Sequence, residues 1–327
     1  MILGEILKKE LLRKKNVIGV GWGFKYVGGK RTDEEAIIVF VKDKVPESEL
    51  SEKDLIPRTI GGVKTDVREK TFRAFTTPEE KQKRWRPAQG GVSIGHYKIT
   101  AGTFGTLVRR GNIPLILSNN HVLANMNNAK KNDPIYQPSP YDGGTKDDII
   151  GYLVDWVPIE FEEGSSCPVA TIVAGTYNLL ARTFGAKTRL ILTKEAYNEV
   201  DAAVARPAEL EWVKDEIIDI GTPEGVVEPQ LGMKVQKSGR TTCHTTGEID
   251  TVELTVRVQY GYNNALFIDQ IGIQPDEGKF SDGGDSGSAI LDMDGRLVGL
   301  LFAGDQTGYT IANQISKVME ALEVDVL

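Results

Sequence analysis

Apolar and charged positions interleave through residues 1–12 with the spacing of a short amphipathic helix. Residues 16–26 alternate like a strand, with glycine at 19, 21 and 23. Gly28-Gly29-Lys30 reads as a hairpin turn, and residues 35–41 form an unbroken apolar-rich run suited to a buried strand. A turn and short helix follow over residues 46–57, then Ile60 and residues 63–67 as a further strand. The pattern predicts a small α+β unit over residues 1–76, with three strands and about two helices. The glycine series lacks the lysine-serine pair and helix start of a phosphate loop, so strand packing is its reading.

Residues 77–91 are polar and rich in Pro and Gly, as in an exposed linker. From residue 92 onward the chain breaks into many short alternating strands punctuated by turn residues. That pattern predicts a mainly β fold of two antiparallel barrels. The first spans residues 92–207 with a long insertion over residues 124–195, which holds a helical stretch near residues 173–184. Residues 208–232 bridge to the second barrel at 233–327.

Composition narrows the setting. The 327 residues are 40% hydrophobic and 26% charged, ordinary for a globular protein. No apolar run approaches the roughly 20 residues that span a bilayer, and the charged start does not resemble a signal peptide. Two cysteines, Cys167 and Cys243, cannot build a disulfide framework. These features point to a cytoplasmic protein without a membrane partner. The net charge of −7 divides unevenly, with +6 over residues 1–90 and −13 over the rest. The basic run Lys81-Gln82-Lys83-Arg84-Trp85-Arg86 has no accompanying nucleic-acid motif and reads as solvated linker. Cys243-His244 has no second pair at ligand spacing, so neither a metal nor a cofactor is expected.

Candidate chemistry concentrates in Gly283-Gly284-Asp285-Ser286-Gly287-Ser288, just before the apolar run 289–291. A serine between glycines at the mouth of a strand suits a nucleophile. The N–H groups of Gly284 and Ser286 can face one point and hold an oxyanion. A serine needs a base, and the base needs an acid that fixes its tautomer. Of the three histidines, His121 ends an apolar strand and enters a turn, whereas His96 and His244 sit in hydrophilic stretches. Asp201 precedes the small apolar strand 202–205 and is the acid of choice. Asp155 is its rival, and Asp142, Asp147 and Asp148 read as solvated or turn-forming.

His121 after a strand, Asp201-Ala-Ala-Val and Gly-Asp-Ser286-Gly-Ser, in that order, resemble the trypsin-like serine proteases. The Asn-His-Val form without a neighbouring cysteine is closer to bacterial HtrA-type catalytic domains. The N-terminal unit and the long insertion make the chain similar to the family that includes the plant narrow-leaf protease. The resemblance covers residues 92–327 and implies a chymotrypsin-like fold, protein or peptide substrates, and a substrate-flanking strand at Phe302, Ala303 and Gly304. It implies peptide hydrolysis through an acyl-enzyme; the alternatives are a non-catalytic scaffold on the same fold and an esterase-like acyl hydrolase. The N-terminal unit would block the cleft, recruit substrates or mediate contacts in a homo-oligomer.

Overall fold

The computed structural model describes residues 4–70, 80–99, 101–162, 168–183 and 196–327. Cys167, the first residues of the linker and the parts of the insertion at 163–167 and 184–195 lie outside the described residues.

The chain opens with helix α1 (Glu5–Leu12), then strands β1 (Val17–Val27), β2 (Lys30–Val41), β3 (Thr59–Ile60) and β4 (Val63–Glu69). Leu11 and Leu12 bury one face of α1 against Val20, Trp22 and Val39, the inward residues of β1 and β2. Next come β5 (Ala88–Gly90), β6 (Ser93–His96), β7 (Gly102–Thr103), β8 (Thr106–Arg110), β9 (Ile113–Ser118) and the one-turn helix α2 (Asn120–Leu123). Strands β10 (Pro134–Tyr136) and β11 (Ile149–Trp156) and helix α3 (Pro168–Thr183) follow, then β12 (Ala203–Pro207) and β13 (Val213–Ile217). The last part holds β14 (Lys234–Gly239), the long hairpin β15 (Cys243–Tyr260) and β16 (Asn263–Pro275), β17 (Ala289–Asp292), β18 (Leu297–Gly304) and β19 (Thr310–Gln314). Helix α4 (Ile315–Leu322) and β20 (Asp325–Val326) complete the described elements.

Most of these strands form two curled, mainly antiparallel sheets in a chymotrypsin-like arrangement, and β13 and β5 make a separate parallel pair. In the second, β14, β17, β18, β19, β16 and β15 pair in turn, and β15 pairs back with β14 to close a six-stranded ring. Closure leaves no bare edge inside the ring. In the first sheet the order is β20-β8-β9-β12-β11-β10-β6-β7. Strands β10 and β11 come from within the stretch that the sequence assigns to an insertion. Their bounds are masked in the sequence by Pro138, Pro140 and Gly143-Gly144, which read as loop.

The N-terminal unit does not stand apart from the ring. β1 pairs antiparallel with β15, with Gly19 opposite Val256 and Gly23 opposite Thr251, so β1, β2, β4 and β3 extend the second sheet. A Cβ on Gly23 would overlap the Asp250 carbonyl oxygen, which is why that strand carries glycine at its crossing. Val108, Leu117, Val204, Leu291 and Leu300 share one core that joins the two sheets. Among the described residues no helix is long and apolar enough to cross a membrane.

Candidate active site

His121 sits where β9 ends and α2 begins. Its neighbours Val122 and Leu123 are fully buried in the first-sheet core, which fixes the turn and leaves the imidazole on its outer side. The Asn119 carbonyl starts the helix by accepting from the Leu123 N–H at 2.9 Å. The Asn119 side chain reaches instead to the Asp201 carbonyl at 2.7 Å. Asn120 ties the same turn to Val157 at 2.7 Å.

Pairing of β12 with β9, Ala203 opposite Ser118, carries Asp201 alongside this helix. Asp201 is fully buried. Its Oδ2 accepts from His121 Nδ1 at 2.5 Å, and its Oδ1 accepts from the His121 backbone N–H at 3.2 Å. Its own N–H donates to Asn313 Oδ1 at 2.5 Å, across from the second sheet. The Tyr260 hydroxyl, at the end of β15, donates to Asp201 Oδ2 at 2.7 Å. Burial and then the Asp201 charge hold the Tyr260 phenol well above its ordinary pKa, so it is a proton donor at any working pH. With Nδ1 engaged by the carboxylate, neutral His121 presents Nε2 as an acceptor. That Nε2 is buried and has no hydrogen-bond partner. An unpaired buried polar atom is costly, and it calls for a partner, either a solvent molecule or a reacting group.

Ser286 lies fully buried at the turn before β17. Its hydroxyl faces the Phe302 carbonyl at 3.5 Å and makes no hydrogen bond to His121. The structure thus joins His121 to Asp201 directly, and leaves Ser286 unbonded to either. Around the serine, the carbonyls are tied down. Gly283 O accepts from the Thr241 hydroxyl, Gly284 O from the Thr103 hydroxyl at 2.8 Å, and Asp285 O from the Ser288 N–H at 3.0 Å. In a trans peptide the N–H points opposite its carbonyl. Anchoring the carbonyls of Gly283 and Asp285 therefore turns the Gly284 and Ser286 N–H groups to the other side, where neither has an acceptor among the described hydrogen bonds. Gly284 adopts φ +94°, and a Cβ there would run into Arg240 and Thr241.

The neighbouring Asp285 organises the loop. Its carboxylate accepts from the N–H groups of Thr241 (2.7 Å) and Asp282 (2.9 Å) and from the Thr242 hydroxyl (2.6 Å). The fully buried Lys237 ammonium lies 3.7 Å away. Strand β18 pairs with β17 only as far as Leu300, so Phe302, Ala303 and Gly304 run on without a partner strand on that side.

Other sequence expectations fare differently. Asp142, expected to be solvated or turn-forming, is 2% exposed in its side chain and makes an ion pair with the buried Arg240 beside the serine loop. A glycine-rich neighbourhood masks such a role, because the cation lies 98 residues away. Asp155 pairs with Arg110 and Lys131, at 3.3 and 3.0 Å. His96 bonds Asp133, and His244 bonds Gln236. Tyr260, Asn313 and Lys237 were not singled out by the sequence, and no local motif marks them.

Residues 2–68 match the family model described as the NARROW LEAF 1 N-terminal domain. Protein NARROW LEAF 1 of Oryza sativa subsp. japonica is 24% identical over 353 residues, covering 95% of this chain and 57% of that protein. The chain thus spans less than two thirds of that relative's length. Similar solved structures include Protease A of Thermobifida fusca, at 17% identity and TM-score 0.46, covering 73% of this chain and 97% of that one. A glutamic acid-specific serine protease is similar at 18% identity and TM-score 0.46, covering 73% of this chain and 100% of its own. The matched N-terminal domain and the similarity along nearly the whole chain are likenesses to the narrow-leaf family.

Proposed function

We propose that the protein is a serine endopeptidase acting on protein or peptide substrates. Ser286 attacks the scissile carbonyl carbon while its proton passes to His121 Nε2. Asp201 keeps the imidazole in the receptive tautomer and balances its charge. The N–H groups of Gly284 and Ser286 hold the oxyanion. His121 then gives the proton to the leaving amine, and water releases the acyl group by the reverse sequence. Phe302, Ala303 and Gly304 bind the substrate as an added strand. The low cysteine content favours a cytoplasmic setting.

The observation that supports this most is the buried, partnerless Nε2 of a histidine whose Nδ1 is bound to a buried carboxylate. The reaction requires the Ser286 hydroxyl to leave the Phe302 carbonyl and to bond His121 Nε2. The orientation of that hydroxyl, in a fully buried residue, favours a second reading, a non-catalytic scaffold on a protease fold. Intact-mass spectrometry after exposure to a fluorophosphonate separates them. A single adduct on the wild type, absent in Ser286→Ala, is expected. No adduct, or one that survives in Ser286→Ala, overturns the assignment.

A further inference from the structure

Strand β4 of the N-terminal unit ends beside the turn that follows the proposed substrate strand. Lys70 directly follows β4, and its backbone N–H is anchored on the Val41 carbonyl at 3.0 Å. Its ammonium meets three residues of one short turn. It pairs with Asp305 Oδ2 at 3.0 Å, donates to the Thr307 hydroxyl at 2.8 Å and lies 5.1 Å from the centre of the Tyr309 ring. Asp305 is the hub of that turn. Its Oδ1 accepts from the Thr307 N–H (2.8 Å), the Thr307 hydroxyl (2.6 Å) and the Tyr309 N–H (3.1 Å). One carboxylate oxygen thus shapes the turn from within, and the other fastens it to the N-terminal unit.

Two residues earlier on the same strand, Arg68 makes a second tie. Its guanidinium donates to Asp250 Oδ2 at 2.8 Å and also to the Phe24 carbonyl. Asp250 is fully buried, and its Oδ1 accepts from the buried Tyr309 hydroxyl at 2.6 Å. Arg68 therefore reaches Tyr309 from below through one carboxylate, while Lys70 reaches it from the side. The turn in turn touches the serine loop. The Phe280 N–H donates to the Gly308 carbonyl at 3.3 Å, and the Ser281 and Thr310 hydroxyls meet at 2.5 Å.

We infer that the N-terminal unit holds the turn Asp305–Tyr309 in place, making Arg68 and Lys70 positioning residues for substrate binding. The substrate part of this rests on the reading of Phe302–Gly304 as the substrate strand. The N-terminal unit then acts as a built-in wall support of the cleft. Changes in it alter how a peptide is held, with the nucleophile itself left intact.

The test uses the full chain and Lys70→Met, which keeps the stem over Tyr309 and removes the charge. Asp305 loses the ion pair at Oδ2 and keeps the Thr307 and Tyr309 donors on Oδ1, so the turn keeps its internal bonds. Hydrogen exchange at the Asp305, Thr307, Gly308 and Tyr309 amides is expected to quicken about tenfold, with β17 and β19 unchanged. On a casein-derived fluorogenic peptide, KM is expected to rise about three- to tenfold with kcat within about twofold, the separation expected for a ground-state binding contribution. Arg68→Lys, which keeps the charge and loses the fork, is expected to move the same amides. Unchanged exchange in the turn overturns the inference, as does exchange that quickens equally across the whole ring, or a fall in kcat that matches the rise in KM. Fluorophosphonate labelling of the wild type keeps the two readings apart. If Ser286 does not label, the protease reading and the substrate-binding role fall together, while the exchange data still decide whether Lys70 holds the turn.

Discussion

Tyr260 and His121 share one oxygen of Asp201. The phenol donates to Oδ2 at 2.7 Å and the imidazole Nδ1–H at 2.5 Å, while the Oδ1 oxygen takes the His121 backbone N–H at 3.2 Å. The two rings also stand edge to face with centroids 5.6 Å apart. Tyr260 therefore adds a second donor to the oxygen that holds the imidazole and limits the rotation that would release His121. Tyr260→Phe keeps the ring and loses only this bond. A hydrogen bond to a charged group contributes about 1.5–3 kcal/mol, and part of that is retained through the remaining donors. The expected outcome is an about tenfold lower rate of fluorophosphonate labelling, with stability to urea lowered by about 1 kcal/mol. Labelling at the wild-type rate would remove Tyr260 from the catalytic account.

Lys237 and Asp285 form a buried pair behind the serine. Lys237 is fully buried and donates to the Cys243 carbonyl at 2.9 Å and to the Thr242 hydroxyl. Burial pulls its pKa below the ordinary lysine value, and Asp285 opposes that pull. Removing one member of such a pair strands the other charge, at about 3–5 kcal/mol. Asp285 keeps its backbone N–H donors, so the low end is expected for Lys237→Met, about 3 kcal/mol by urea denaturation. Labelling should slow as well, because Asp285 orders the peptides on either side of Ser286. The double variant Lys237→Met/Asp285→Asn should recover about half of the lost stability, since no buried charge remains unpaired. A single variant costing under about 1 kcal/mol would mean that the pair is not coupled.

The residues whose proposed chemistry shows in their own neighbourhood were the readable ones. Ser286 announces itself through flanking glycines, and His121 through the strand that ends beside it. Asp201 could be ranked above Asp155 because a small apolar strand follows it. Tyr260 gives no such signal. It is one aromatic among ten tyrosines, on a hairpin 59 residues from Asp201, and only the pairing of β15 within the ring brings it there. The same holds for Lys237, which reads as a solvated strand lysine until its strand is folded over the serine loop. The pairing of β1 with β15 was illegible for a related reason. Alternation and glycines say that residues 16–26 form a strand, but period-two patterning names no partner. Asp142 shows the converse, a residue whose turn-like surroundings were real and whose buried cation came from elsewhere.

His96 offers a pH-dependent stability test away from the serine. It is fully buried, with Nε2 3.1 Å from Asp133 Oδ2 and Nδ1 accepting the Lys98 N–H at 3.2 Å. Both ring nitrogens are satisfied in the neutral form. Burial pulls its pKa below the ordinary imidazole value, Asp133 opposes this and the Lys98 ammonium adds to it. Between that depressed value and the unfolded value of about 6.5 the unfolded chain binds more protons, so stability falls as pH falls through this window. Urea unfolding at about pH 7.5 and 5.5, on either side of the ordinary imidazole value, should show a larger loss for the wild type than for His96→Gln. Equal losses would mean that His96 titrates alike in both states. His121 and His244 are present in both proteins and cancel in the comparison.

Gly23 tests whether the N-terminal unit is part of the ring or only leans on it. The residue pairs with Thr251 at the β1–β15 crossing, and a side chain there would overlap the Asp250 carbonyl, which is backbone and cannot swing aside. Asp250 also receives Arg68, so displacing it disturbs the tie between the N-terminal unit and Tyr309. Overpacking of this kind costs about 1–3 kcal/mol. If β1 is a full member of the sheet, Gly23→Ala lowers the stability of the whole chain in a single cooperative urea transition. Exchange should then quicken at amides of β15 and β16 as well as of β1. If the unit merely rests against the ring, the variant unfolds in two steps and the ring amides keep their wild-type protection. The continuous ladder from β14 to β3 and the ion pair of Arg68 with the buried Asp250 argue for the first outcome.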